Sequence, residues 1–204
     1  MVLPSMYLNG SFYDKERDQS HLPPHVADFN YHSELPPFPS ENQILANLAF
    51  MHNQMVSGAK KSELFMGCKY KASEEGFCKG AGTVEQAPHN ALHSWVGSNV
   101  QFERENMGAF YAAARDPIFY AHHANIDRLW LIWKKLRGNG PEFVDLEWLD
   151  SYFYFYDENA QLTRFKIRDC LDITKLRYTY QESDLPWLIA RPKPSIPPKI
   201  ARNI

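Results

Sequence analysis

The chain has 204 residues, of which 44% are hydrophobic and 23% are charged, enough for one domain with a buried core. Three cysteines are too few for a disulfide-stabilised miniprotein or a thiolate zinc site. The formal net charge is −2, so the chain shows no excess of basic residues of the kind that binds nucleic acid. No apolar run approaches the roughly 20 residues of a membrane-spanning helix. We therefore expect neither nucleic acid nor a membrane as a partner.

The N-terminal part of the sequence combines a coil, a helix and a loop. Residues 1–40 are rich in Pro, Asn, Asp and Ser and predict an ordered coil that lies on a core. A Ser-x-x-Gln capping box begins at Ser40, and apolar residues from Ile44 to Met55 then recur at helical spacing as far as Gly58. We predict one amphipathic helix there, followed by a long glycine-rich loop over residues 58–84.

Two further helices are predicted in the middle of the chain. Pro88 stands where a first-turn proline belongs, so a short helix is expected from about Pro88 to Val96. Asp116, an N-cap residue followed by proline, opens the strongest helical pattern, which runs to Leu136. Basic residues and Gly138 follow its last turn, which suits the negative end of the helix dipole.

The C-terminal part predicts a hairpin and then a tail. Aromatic and β-branched runs at residues 152–156 and 162–167 flank an Asp-Glu-Asn-Ala-Gln turn, a pattern typical of a β-hairpin. Prolines between basic and small residues dominate the sequence after Pro186. We therefore expect a folded domain over residues 1–185 and a linker or tail over residues 186–204.

Four of the eight histidines lie on the two central helices. His89 and His93 are four residues apart, so both rings project from one helix face and can bind one ion. His122 and His123 are adjacent in an apolar helix, where each buried imidazole needs a hydrogen bond or a metal. Periodicity leaves open which of the two faces a site, since they point roughly 100° apart. The residues predict a three-histidine site for copper, zinc, iron or nickel; ordinary core or surface histidines are the alternative.

Two long motifs carry a family resemblance. Residues 88–97 are Pro-His-Asn-Ala-Leu-His-Ser-Trp-Val-Gly, and residues 106–130 contain Ala-His-His-Ala-Asn-Ile-Asp-Arg-Leu-Trp. Both resemble the copper B segment of the plant polyphenol oxidases, the type-3 copper catechol oxidases and tyrosinases, and the likeness extends over nearly the whole chain. It implies a mainly α fold: a partial type-3 copper four-helix-bundle domain with long coil segments and a small β-hairpin. It also implies that His89, His93 and His123 are the copper ligands.

Three other residues acquire roles from this resemblance. Glu85 matches the acidic residue that holds an ordered water near the metals, and with Asn90 it would orient that water to take a phenol proton. The alternative for Glu85 is an ordinary acid at a helix start. Phe110 matches an aromatic gate over copper, with a plain core position as its alternative.

Residues outside the copper motifs are assigned less directly. Asp127, one turn after the second histidine of the pair, either supports that ring or is a polar residue of the helix face. Tyr178 and Tyr180 match the Tyr-x-Tyr that marks the end of the catalytic domain. Cys68 and Cys78 either pair or remain thiols, and the cysteines match no catalytic feature of the family.

A type-3 centre holds two coppers with three histidines each, and this sequence departs from that pattern. His21, His25 and His32 lie in the proline-rich coil, and His52 stands alone on the upstream helix. We therefore expect the copper A half of the domain to be absent and the chain to be a fragment. The loss of cover over apolar residues such as Phe119, Trp130 and Trp133 predicts marginal stability for the isolated chain.

The resemblance implies an oxidoreductase that turns o-diphenols into o-quinones with copper and dioxygen, carried here as the copper B half only. Its partners would be dioxygen, phenolic small molecules and the missing copper A segment. Family likeness predicts the chloroplast thylakoid lumen, and we expect no targeting segment within this sequence. The alternatives are an inactive remnant or single-copper binding module, a zinc hydrolase with Glu85 as base, and an oxygen carrier.

Overall fold

The computed structural model of the protein describes residues 2–30, 40–67, 80–138 and 144–192. Most of the regular structure is helical, and the strands form one two-stranded antiparallel sheet, which confirms the mainly α fold with a small hairpin. None of the helices in these ranges is long and apolar enough to cross a membrane. The helices are α1 (Ser40–His52), α2 (Ser62–Met66), α3 (Ala91–Val96), α4 (Ile118–Leu136) and α5 (Leu146–Asp150), and the strands are β1 (Tyr152–Tyr156) and β2 (Leu162–Lys166).

The N-terminal coil is ordered by short 3₁₀ turns and by a buried ion pair. The guanidinium of Arg17 donates to both carboxylate oxygens of Asp116, at 2.8 Å and 2.6 Å, and to two backbone carbonyls of the coil. Both side chains are almost completely buried. The ring of His21 stacks on Trp95 of α3 with centroids 3.7 Å apart. The coil thus packs on α3 and on the start of α4, as the sequence predicts.

Helix α1 continues as a π-helical turn to Ser57 and ends before Gly58, so its predicted extent is confirmed. Its predicted apolar stripe is wrong at the start, because Ile44 and Leu45 are 44% and 65% exposed while Gln43 and Asn47 are buried. The Asn47 amide accepts from Gln43 Nε2 at 3.0 Å and donates to the carbonyl of Ala27 in the coil at 2.6 Å. The side-chain amides of Gln43 and Asn47 lie on the inner face of α1 because the coil packed there has backbone groups that need hydrogen-bond partners.

Helix α4 begins and ends as predicted. Oδ1 of Asp116 accepts from the backbone N–H of Ile118 at 2.9 Å, so the residue that pairs with the coil also caps this helix. At the other end, Arg137 Nη2 donates to the carbonyls of Val56 and Ala59, at 2.7 Å and 2.9 Å. These bonds fasten the last turn of α4 to the segment that follows α1.

The core lies between α1, α2, α3 and α4. Trp133 is 2% exposed, stacks on Phe65 of α2 at 4.7 Å and donates from Nε1 to the carbonyl of Ala59 at 2.7 Å. The expectation that Trp133 lacks cover is therefore wrong, because α2, a helix the sequence did not predict, supplies it. Phe119 and Trp130 are partly buried. The stability of the isolated chain stays a prediction.

The predicted hairpin is confirmed, with Tyr152 paired to Lys166 at its open end. Asp157 closes the turn by accepting from the backbone N–H groups of Asn159 and Gln161, both at 2.9 Å. All five β1 side chains are exposed. The sheet therefore extends from the core rather than forming part of it.

After the hairpin the chain returns to the helices. The hydroxyls of Tyr178 and Tyr180 both donate to Oδ2 of Asp127 on α4, at 2.7 Å and 2.6 Å. Trp187 is buried in the core, and its carbonyl lies 3.1 Å from Nδ1 of His52. The chain thus stays packed beyond residue 185, the expected end of the folded part, and the division into domain and tail otherwise stays a prediction.

Some predictions fall outside the described residues. These concern Cys68, Cys78, His32 and the tail from residue 193 onward.

Candidate metal centre

Four imidazole rings converge where α3 meets α4. His89 and His93 come from α3 and the turn before it, and His122 and His123 come from α4. Every pair of these rings has its centroids between 4.7 Å and 5.5 Å apart. The structure therefore brings together the three predicted ligands, and it adds His122 to the same cluster.

The backbone before α3 sets the positions of the first two rings. Ala87 is extended, with φ −157° and ψ 136°, and breaks the π-helical turn just before Pro88. From Pro88 the chain is helical as far as Val96, where Gly97 ends it. His89 and His93 consequently lie one helical turn apart, with their ring centroids 4.7 Å from each other.

Hydrogen bonds fix the tautomers of the first two rings. Nδ1 of His93 donates to the carbonyl of Met107 at 2.6 Å, and Nδ1 of His89 donates to Oδ1 of Asn90 at 2.9 Å. Each ring therefore keeps its Nε2 lone pair for a ligand. Nε2 of His93 lies 3.1 Å from Nε2 of His123. Two nitrogens bound tetrahedrally to one ion at about 2.0 Å are separated by about 3.3 Å, so this spacing suits a shared metal.

His122 has a different arrangement of bonds. One nitrogen each of His89, His93 and His122 lie within 4.8 Å of one another, so these three rings also form a possible ligand set. Nε2 of His122, however, lies 3.2 Å from the backbone carbonyl of His89, to which it can only donate. This bond ties α4 to the turn before α3 and leaves only Nδ1 of His122 for a metal.

Burial keeps three of the rings neutral. It lowers the pKa of His122 to about 3 and that of His123 to about 4, with the neighbouring histidines adding to both shifts. Burial also lowers the pKa of His93, against the bond to the Met107 carbonyl, which raises it. Metals bind the neutral form of imidazole, so at neutral pH these rings have lone pairs ready. The donor set fits copper.

A tight loop holds the carbonyl that fixes His93. The backbone N–H of Gly108 donates to the carbonyl of Arg104 at 2.8 Å. A Cβ at Gly108 would stand 2.5 Å from Cβ of Arg104, and one at Gly97 would stand 2.4 Å from the Arg104 carbonyl oxygen. The loop therefore closes around Arg104 only with glycine at both positions, and this closure sets the place of Met107.

The remaining predicted site residues lie on the elements that carry the rings or on the loop between α3 and α4. Glu85 is exposed at the start of the turn that carries His89, and Phe110 is fully exposed in the loop after Met107. The amide oxygen of Asn90 accepts from His89, so Asn90 acts directly on a ring of the cluster. Asp127 accepts from two tyrosines, which makes it a tether for the C-terminal coil.

Two family models match this chain. The common central domain of tyrosinase matches residues 5–136, and the polyphenol oxidase middle domain matches residues 142–193. Aureusidin synthase from Antirrhinum majus is 46% identical over 100% of this chain and 37% of its own length. A chloroplastic polyphenol oxidase from Vitis vinifera is 48% identical over 92% of this chain and 31% of its own length. The chain thus spans about a third of the length of the curated relatives it matches.

Solved structures give the same result. Latent apple tyrosinase superposes with a TM-score of 0.90 at 46% identity, covering 96% of this chain and 43% of that one. Grenache (Vitis vinifera) polyphenol oxidase superposes with a TM-score of 0.85 at 46% identity, covering 92% of this chain and 56% of that one. With a clustered set of imidazoles that fits copper, a matching helical fold and these relatives, the chain belongs to the tyrosinase family of type-3 copper oxidoreductases.

Proposed function

We propose that this chain is the copper B half of an oxidase that converts o-diphenols (catechols) to o-quinones with dioxygen. The single observation that carries the proposal is the 3.1 Å approach of Nε2 of His93 to Nε2 of His123, beside the ring of His89. Copper bound there supplies the redox and dioxygen chemistry of the family. Zinc hydrolysis is disfavoured, because the motifs and the fold both match copper oxidases.

His89, His93 and His123 are the proposed ligands. For His89 and His93, hydrogen bonds from Nδ1 orient the ring and direct Nε2 away from the bonded partner. His122 is assigned the supporting role, since its Nε2 donates to the backbone of His89. Of the two adjacent histidines of α4, His123 thus binds the ion. His122 holds the segment that carries His89 and His93 against α4.

Three residues act on the substrate side of the proposed site. Glu85, together with an ordered water, accepts the proton of the phenol. Asn90 holds the ring of His89 through its amide oxygen, and its amide nitrogen is the group that can orient the water. Phe110, on the exposed loop, covers the ring of the bound phenol.

A second copper needs three more histidines. In the described part of the chain, Nδ1 of His21, His25 and His52 each lies within hydrogen-bond distance of a backbone carbonyl, outside the four-ring cluster. We place the copper A ligands in a segment outside this sequence, which agrees with the chain spanning about a third of its relatives. Several of those relatives are named chloroplastic, which supports a chloroplast location, and we propose the thylakoid lumen within it.

Copper titration of the purified chain tests the ligand set. We expect one copper per chain, loss of that copper in His123→Gln, and retention in the matched variant His122→Gln. Retention in His123→Gln with loss in His122→Gln would show that the other triplet of rings is the ligand set.

Oxygen uptake with catechol tests the reaction. We expect uptake when the chain is co-expressed with a copper A segment from a relative, and none with His93→Gln in the same complex. One bound copper with no uptake in the complete complex would instead identify a single-copper binding module or an inactive remnant.

A further inference from the structure

A cavity of about 190 Å³ lies between the N-terminal coil and the helices α3 and α4. Of the four clustered histidines, only His122 contributes to its wall, so the cavity lies beside the metal centre and is separate from it. Hydrocarbon groups from all three elements face it, including Leu22, Leu92, Trp95, Ile118 and Ala121.

The charged and imidazole side chains of this wall are bonded to other groups. Arg17 pairs with Asp116, which does not line the cavity, and Asp18 accepts from the hydroxyl of Ser20 at 2.6 Å. Nδ1 of His21 lies 2.7 Å from the carbonyl of Trp95, and Nε2 of His122 donates to the backbone. A charged ligand that enters gives up its bonds to water and finds these charged groups already paired, which costs free energy. The uncharged polar groups of the wall include the phenol of Tyr7 and the amide of Asn125.

The volume of the cavity sets the size of its ligand. His21 and Trp95, which both line the cavity, stack face to face with their planes 9° from parallel and their centroids 3.7 Å apart, so each ring covers one face of the other. An engineered apolar cavity of about 150 Å³ in another protein is large enough to bind benzene. The present cavity, at about 190 Å³, therefore holds a single benzene-sized ring.

We infer that this cavity is a binding site for a small, uncharged and mainly apolar molecule of about the size of one benzene ring. Such a molecule contacts the coil and the two helices that carry the histidine cluster at once. Binding it therefore stabilises the docking of the coil on α3 and α4. The cavity is separate from the proposed copper site, and the inference does not depend on the function proposed there.

Thermal unfolding with benzene as the probe tests the inference on the whole chain without added copper. We expect millimolar benzene to raise the unfolding midpoint by roughly 3 °C. Ala121→Leu places a larger side chain at the cavity, and we expect it to abolish the shift. Ala124→Leu is the matched control, because it makes the same substitution at an exposed position of α4 that does not line the cavity, and it should keep the shift.

Saturation-transfer NMR on benzene gives a second readout that needs no cooperative unfolding. Transfer from the protein to benzene is expected in the wild type and in Ala124→Leu and is expected to be lost in Ala121→Leu. The inference is overturned if the wild type shows neither a benzene-dependent shift nor transfer, or if Ala121→Leu retains both at the wild-type level.

Discussion

At the scale of single residues, the metal centre depends on which nitrogen of each ring is already bonded. His93 and His89 each donate from Nδ1, to a backbone carbonyl and to an amide oxygen, so Nε2 is available on both. His122 donates from Nε2 and is thereby distinguished from its neighbour His123, although the two are adjacent in sequence. Bonds of this kind typically change metal affinity by about 10- to 100-fold when they are removed.

Gly108→Ala tests the support of His93. A methyl group there would stand 2.5 Å from Cβ of Arg104, so the loop must shift and move the carbonyl of Met107 away from His93. We expect copper affinity, measured by competition with a chelator, to fall about 10-fold. Val100→Ala changes an exposed side chain of the same loop and should leave the affinity unchanged. Unchanged affinity in Gly108→Ala would show that the Met107 carbonyl does not support the site.

At the scale of elements, the sequence predicted what local patterns determine and missed what long-range packing determines. The two copper-motif helices and the hairpin follow from caps, periodicity and turn residues, all of which act within a few positions. The exposure of Ile44 and Leu45 could not be predicted, because it depends on amides of α1 bonding to a coil that is distant in sequence. The burial of Trp133 depends on Phe65, in a segment with loop composition.

Periodicity does not choose between the two adjacent histidines of α4 as the copper ligand. Both helical stripes that contain His122 and His123 are mostly apolar, so periodicity treats the two rings alike. The distinction comes from the position of the His89 backbone, which belongs to another element. The choice of His123 rests on the family resemblance and stays a prediction, since the three nitrogens within 4.8 Å of one another include one of His122.

The buried pair between the coil and α4 is expected to contribute strongly to stability. Arg17→Met leaves the Asp116 carboxylate buried without its partner, and we expect the free energy of unfolding in urea to fall by about 3–5 kcal/mol. Lys15→Met removes a pair with Glu16 in which the lysine is 81% exposed, and a change below about 0.5 kcal/mol is expected. Equal effects of the two substitutions would argue against a structural role for the buried pair.

The tyrosine tether of α4 predicts a loss of stability at high pH. Burial, assisted by the bond to Asp127, raises the pKa of Tyr178 to about 12, and the same causes raise the pKa of Tyr180. In the unfolded chain both phenols ionise near pH 10, so the folded state retains protons that the unfolded state has lost. Stability must therefore fall as the pH rises from about 10 to about 12.

Denaturation profiles at several alkaline pH values measure this fall. The variant with both Tyr178→Phe and Tyr180→Phe is expected to show a flatter profile. A hydrogen bond with Glu105 is the main cause that raises the pKa of Tyr111 to about 12. Tyr111 is present in the wild type and in the double variant, so its contribution to the pH dependence cancels in the comparison. Parallel profiles would show that the tether does not couple to folding.

At the scale of the whole molecule, the core extends over both regions matched by the family models. The tyrosinase match ends at residue 136 and the middle-domain match begins at residue 142, yet Trp187 from the second region packs among residues of the first. The two matched regions therefore share one buried core. We expect them to unfold together.

Trp187→Ala tests this shared core. Removing a buried indole typically costs about 3–5 kcal/mol, and the loss is expected to appear in the unfolding of both regions. Ile189→Ala, at a side chain that is 90% exposed, is the matched control and should change stability by less than about 0.5 kcal/mol. An early transition confined to the hairpin region of Trp187→Ala would indicate that the two regions fold separately.

Helix α4 is bonded to other segments at three places: through the Asp116–Arg17 pair at its start, through Asp127 in its middle and through Arg137 at its end. Helix termini ordinarily fray, and their amide hydrogens exchange with solvent through local opening. Here the anchors lie at both ends, so opening of either terminal turn requires a neighbouring segment to detach as well. Slow amide exchange should consequently extend into the terminal turns of α4.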